Sequence, residues 1–191
     1  MRLACVCHLF HLDLWPEIAI GLSYLPDFDL YVTIPLEQYN AGDARTLERL
    51  YPKVKWRFFE NRGRDVLPFC SVYNSDIRDR YDAVVKIHTK KSPHARGFGE
   101  LWRKALYDTL LNHSDKCLKI LQQPGCAIVT DWRFALYYPP KGRNIIAVAA
   151  LAGRVGWQTV MGRYAAGTMF WARTGVFDEI AEYATRFQWE P

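Results

Sequence analysis

The chain has 191 residues and a net charge of +5, with half of its residues hydrophobic and 24% charged. That balance excludes a disordered or collagen-like polypeptide. At this length about 70% of the unfolded surface can be buried, so one core needs neither disulfides nor metal. The longest apolar runs, such as Ala147–Leu151, fall far short of the roughly 18 residues that span a membrane. The amino terminus reads as a buried first strand rather than a signal peptide, because its short apolar run meets His8, His11 and Asp13 with no small-residue cleavage site. The five cysteines, an odd number without CxxC spacing, point to reduced thiols in a cytosolic protein. The thiols of Cys5-x-Cys7 are expected on opposite faces of a strand, away from any single metal.

Strand-like and helix-like stretches alternate. Leu3–Phe10 reads as a strand and Leu14–Tyr24 as a helix opened by Asp13, with Pro16 and Glu17 in its first turn. Phe28–Ile34 is β-branched and aromatic, stopped by Pro35. Asp43–Leu50 reads as a helix, Val54–Phe59 as a strand and Val66–Asn74 as a short helix. Ala83–Ile87 is a strand, Gly99–Gln122 one long amphipathic helix, and Ala127–Thr130 a strand. Asn144–Val160 is interrupted by glycine and fits neither period, whereas Thr168–Ala172 reads as a strand and Val176–Arg186 as a closing helix. Repeated β-α units of this kind predict an α/β domain with a mostly parallel sheet flanked by helices. Ligands of such sheets bind beyond the carboxyl ends of the strands.

Charge concentrates at those ends. Residues 53–104 carry thirteen basic and six acidic groups, whereas residues 1–52 carry three and seven. Asn61-Arg62-Gly63-Arg64-Asp65 follows the third strand, and His88-Thr89-Lys90-Lys91-Ser92 the fourth. Singly, Asn-x-Gly is a common turn and Lys-Lys a common surface pair. Together, at two strand ends expected to be neighbours, they predict an anion-binding crevice. Arginine forks match phosphate oxygens, lysines add point charge and hydroxyls add donors. Gly63 permits a left-handed turn or a close backbone approach. Arg103 reads equally as a phosphate contact or a structural residue. Gly167-Thr168 suits close approach to an acceptor. Asp131, after the fifth strand, is the one acidic candidate for acceptor chemistry, with a turn cap as its other reading. No glycine-rich phosphate loop occurs, and the histidines lack the carboxylate or thiolate neighbours of a metal site.

The runs "NRGRDVLPF", "YDAVVKIHTKKSPH" with "LWR", and "GTMFWAR" resemble the rhamnan synthesis protein F family, as do "HLFHLDLWPEI" and "DFDLYVTIP". The resemblance implies a GT-A-like (Rossmann-like) glycosyltransferase fold over residues 1–191, used in bacterial polysaccharide or lipopolysaccharide synthesis. It implies a nucleotide-sugar donor, dTDP-rhamnose or similar, and a glycan or lipid-linked glycan acceptor. Nucleic acid and added cofactors have no part in it, and the protein is expected in the cytoplasm, peripherally at the inner face of the membrane. Transferases of that fold usually end the donor-site strand in Asp-x-Asp, which holds a metal on the diphosphate. Here that strand ends in His88-Thr89-Lys90-Lys91, so transfer without a metal is expected, the cations neutralising the diphosphate directly. The family usually continues into an acidic segment near the acceptor-side base, which residues up to Pro191 do not include. Two other classes stay open: a non-catalytic carbohydrate-assembly module and a nucleic-acid- or anion-binding module.

Overall fold

The computed structural model describes residues 1–91, 98–138 and 162–186. A six-stranded sheet is built from β1 (Leu3–His8), β2 (Phe28–Pro35), β3 (Lys55–Phe59), β4 (Ala83–His88), β5 (Ile128–Val129) and β8 (Phe170–Arg173), in the order β3-β2-β1-β4-β8-β5. Strands β3, β2, β1 and β4 run parallel, and β8 inserts antiparallel to both β4 and β5. The predicted α/β class with a mostly parallel, helix-flanked sheet is the one observed.

Alternation along the strands feeds two cores. Leu3, Cys5, Cys7 and Leu9 pack with Leu30, Val32, Val85 and Trp171 against α1 (Trp15–Leu22), α2 (Ala41–Leu50), α4 (Phe98–Tyr107) and α5 (Ser114–Leu121). Ala4, Val6, Tyr31, Val84, Phe170 and Ala172 face α3 (Val66–Val72) and α6 (Asp178–Arg186). Central strands buried on both sides need no polar face, which is why β1 reads as a continuous apolar run. Cys5 and Cys7 are both fully buried in the same core. This corrects the expectation of opposite faces, since positions two apart on a strand share one.

Three other expectations change. The helix foreseen over Gly99–Gln122 is two helices, α4 and α5, joined by a wide turn over Asp108–Asn112 and broken at His113 (φ −110°, ψ 35°). Side chains compete for the backbone there: the His113 ring approaches the Asp108 carbonyl at 3.1 Å, and Asn112 donates to the Asp108 carboxylate at 3.2 Å. The ends of β3 and β4 are not neighbours, because β2 and β1 lie between them. A separate antiparallel pair, β6 (Ala135–Tyr138) with β7 (Gly162–Ala165), was not anticipated. The ambiguous stretch Asn144–Val160 lies outside the described residues. No helix among the described residues is long and apolar enough to cross a membrane.

Strand order reverses between β1 and β4, since β1 leads through α1 to β2 on one side while β4 lies on the other. Such a switch point opens a crevice at the carboxyl ends of the two strands.

Candidate functional site

The floor of this crevice is a polar row on the α3 side of the sheet. Thr33, His8 and His88 are aligned across β2, β1 and β4, and His8 Nδ1 lies 2.9 Å from Thr33 Oγ1. One step back is Lys86, buried between the rings of Phe69 and Phe170. Its ammonium forms an ion pair with Asp65 and donates to the Thr168 carbonyl at 2.8 Å. The Thr168 hydroxyl donates to the same Asp65 oxygen at 2.6 Å, and His88 Nε2 stands 2.7 Å from the Gly167 carbonyl and 3.9 Å from Asp65.

Burial pushes the Asp65 carboxyl up. The nearby charges of Lys86 and His88, with hydrogen bonds from Lys86 and Thr168, outweigh it and hold the group well below the usual carboxylate range. Burial lowers His8 to about 4, helped by His88 and Lys86 and opposed by Asp65. His88 is likewise lowered, mainly by burial. Both imidazoles are therefore neutral at neutral pH, and the ionised pair cancels its own charge.

Two left-handed turns flank that pair. Gly63 and Arg64 have φ of 63° and 51°, and Gly167 and Thr168 have φ of 90° and 54°. A β-branched residue rarely takes this conformation, which costs on the order of 1–2 kcal/mol. Thr168 is held in it by Asp65 and Lys86. Gly167 has a second constraint, since a Cβ there would meet Trp102 at 3.3 Å.

The expected cations stand in different states. Arg62 is exposed and paired with Glu60 at 3.2 Å, and Lys91 is paired with Asp13 at 2.6 Å. Arg103 is buried, bonded to Glu17 at 3.1 Å and to the Lys90 carbonyl at 3.0 Å, so it ties α1 and α4 to the loop after β4. Arg64 and Lys90 have no carboxylate partner among the described residues. Lys90 lies 4.2 Å from the centre of the Trp102 ring. Burial lowers its pKa; the charge of Arg64 lowers it further, and Asp65 opposes. Arg64 and Lys90 thus share one side of the domain, although their strands are not adjacent.

The remaining candidates are placed as follows. The Thr89 hydroxyl accepts from the backbone N–H groups of Phe10 and His11, both at 2.9 Å, and so holds the loop after β1. Asn61 is exposed, and Ser92 lies outside the described residues. Asp65 makes no cap hydrogen bond to α3 and pairs with Lys86. Asp131 is buried, accepting from Thr109 Oγ1 at 2.6 Å and from both the backbone and the guanidinium of Arg133. That is the turn-cap reading of this residue. Among the described residues no three His, Cys, Asp or Glu side chains converge as a metal ligand set.

Sequence reasoning passed over Lys86, and gave His8 no place in the site once a metal role was set aside. The signal for Lys86 was available: it is a lone lysine inside Ala-Val-Val-Lys-Ile-His, where burial demands a charged partner.

A family model described as rhamnan synthesis protein F matches residues 1–188. An uncharacterized protein named WxcX from Xanthomonas campestris pv. campestris strain B100 is 36% identical over 184 residues, covering 89% of this chain and 25% of that protein. Its counterpart in a second strain is 35% identical over 185 residues, with the same coverage. The chain spans about a quarter of the length of these relatives.

Proposed function

The chain belongs to the rhamnan synthesis protein F family, which ties it to polysaccharide synthesis, and on that premise we propose that it is a GT-A-like domain that transfers a sugar from a nucleotide-diphosphate donor to a glycan or lipid-linked glycan. One observation carries this reading. At the strand-order switch point, Arg64 and Lys90 stand without carboxylate partners among the described residues, above a floor whose own charges are mutually cancelled. The crevice is therefore net positive, with Lys91 at its rim.

A sugar-diphosphate bond breaks with negative charge collecting on the departing diphosphate, and cations fixed in place stabilise that charge most in the transition state. Lys90 suits the role. Its ammonium is half-buried beside Trp102, where weaker solvent screening makes its field stronger than that of a surface lysine. The Lys86–Asp65 pair acts at one remove, holding Thr168 and the chain entering α3 on either side of the anion. In this proposal lysine and arginine do the neutralising that a metal does in other transferases, and the setting is the cytoplasmic face of the membrane.

The test is a thermal-shift panel of UDP-, GDP- and dTDP-sugars with and without EDTA, followed by a transfer assay with the sugars that bind. Stabilisation by one nucleotide class, with turnover insensitive to EDTA, is the expected result. Turnover abolished by EDTA and restored by manganese or magnesium would overturn the metal-free chemistry. Binding without any transfer would leave a donor-binding assembly module.

A further inference from the structure

The lysines of β4 and of the loop after it are held in different ways. Lys86 is paired with Asp65 and Lys91 with Asp13, so in both the partner that fixes the ammonium also cancels its charge. Lys90 has no carboxylate partner among the described residues, and its ammonium lies 4.2 Å from the centre of the Trp102 ring. At that separation the cation sits over the ring face, where the negative side of the π system attracts it, and tryptophan gives the strongest such contact of the aromatic residues. A ring carries no net charge. It fixes the cation and leaves the whole charge for an anion.

The ring is itself fixed. Phe134 stacks on it at 5.2 Å with the planes 23° apart, and Phe98 of the same helix lies at 6.1 Å. Gly167 comes so close that a Cβ there would meet Trp102 Cζ2 at 3.3 Å. The indole Nε1 has no hydrogen-bond partner among the described residues, so packing orients the ring. The next residue of α4, Arg103, donates to the Lys90 carbonyl at 3.0 Å and is anchored on Glu17 at 3.1 Å. Adjacent residues of α4 thus hold Lys90 at its backbone and at its ammonium.

We propose that Trp102 is a positioning residue for Lys90: its ring holds the ammonium beyond the carboxyl end of β4 without neutralising it, so that the charge is in place when the diphosphate departs. A lysine side chain is otherwise a flexible four-carbon stem, which would have to be ordered during the reaction. The inference rests on the nucleotide-donor reading above and deepens it.

The experiment is a mutant cycle of Trp102→Phe and Trp102→Leu in the wild-type and Lys90→Met chains. It is read in kcat, in calorimetric affinity for inorganic pyrophosphate, and in the proton–carbon resonance of the Lys90 ε-methylene, identified by its loss in Lys90→Met. Phenylalanine keeps a weaker ring and leucine keeps only bulk; should leucine not fold, phenylalanine still runs the cycle. The ε-methylene is expected upfield of the other lysines, shielded by the ring, and back in their range in Trp102→Leu. Trp102→Leu is expected to lower kcat roughly 5- to 30-fold and to weaken pyrophosphate a few-fold, with Trp102→Phe milder in both. In Lys90→Met neither substitution is expected to change either quantity, because the contact is already gone. A merely structural role would give the same losses with or without Lys90. Losses that add to that of Lys90→Met, or an unshielded ε-methylene, would each overturn the proposal. If no sugar nucleotide is turned over, coupling of the two positions in pyrophosphate affinity keeps the positioning role and removes the transferase reading. Turnover without such coupling keeps the transferase reading and removes the positioning role. Wild type that neither turns over a donor nor binds pyrophosphate overturns both.

Discussion

Lys86 of β4 and Asp65 at the entrance of α3 meet as a buried ion pair, and Thr168, 82 positions beyond Lys86, is bonded to both. Three segments distant in sequence are thereby fixed at one point beneath the crevice. Removing one partner of such a pair strands a charge where water cannot reach it. Lys86→Met is expected to lower unfolding free energy by about 3–5 kcal/mol in urea titrations. The double variant Lys86→Met/Asp65→Leu is expected to recover most of that loss. A double variant as unstable as the single one would show that the pair itself, not the stranded carboxylate, carries the stability.

The strained turn beside this pair gives an inverted ranking. Thr168→Ala keeps the left-handed backbone and loses the bond to Asp65. Thr168→Gly loses the same bond but relieves the conformation, on the order of 1–2 kcal/mol. That exceeds the roughly 0.5–1 kcal/mol that glycine costs through the unfolded chain. Glycine is therefore expected to be the more stable of the two by denaturant midpoint, contrary to the usual order. Gly167→Ala is expected to be worse than either, because φ is 90° and the added carbon meets Trp102.

Acidification should expose the histidines of the floor. An unfolded histidine titrates near 6.5, whereas His8 in the fold stays neutral down to about 4. Below pH 6.5 the unfolded chain takes up the proton first, so stability is complete above that pH and falls as pH drops toward 4. The gap corresponds to roughly 3 kcal/mol for His8. His88, also lowered, acts in the same direction. His8→Asn is expected to flatten the pH dependence of urea unfolding between pH 6.5 and 4 without removing it. An unchanged slope would place the proton uptake elsewhere.

How far the fold could be read from residues depended on whether the signal was local. Strands β1, β2 and β4 announce themselves as β-branched and apolar runs because both their faces are buried. The basic turns after β3 and β4 were legible as turns with charge. Which strands lie side by side was not legible, since the crossing of α3 beneath β1 and β2 is a tertiary choice with no mark in the loop. Arg103 could not be told from an anion contact because its partner, the partly exposed Glu17, lies 86 positions away. His8 looked like an idle histidine because its alignment with Thr33 and His88 exists only in the assembled sheet.

The difference between Lys90 and Lys91 offers a direct test of the chemistry. They are adjacent in sequence and equal in charge, yet Lys91 is exposed and already paired with Asp13. Lys90 is half-buried over Trp102 and lacks a carboxylate partner among the described residues. If the crevice stabilises a departing diphosphate, Lys90 sits where charge develops and where solvent screens it least. Lys90→Met is therefore expected to lower kcat by roughly 30- to 1,000-fold, the equivalent of about 2–4 kcal/mol, while changing donor KM only a few-fold. Lys91→Met is expected to do the reverse, raising KM by no more than about tenfold and leaving kcat near wild type. Binding energy spent equally on ground and transition states appears in KM alone. Equal losses of kcat in the two variants would mean that their different burial has no bearing on the reaction, and would detach the transfer chemistry from the Lys90–Trp102 contact.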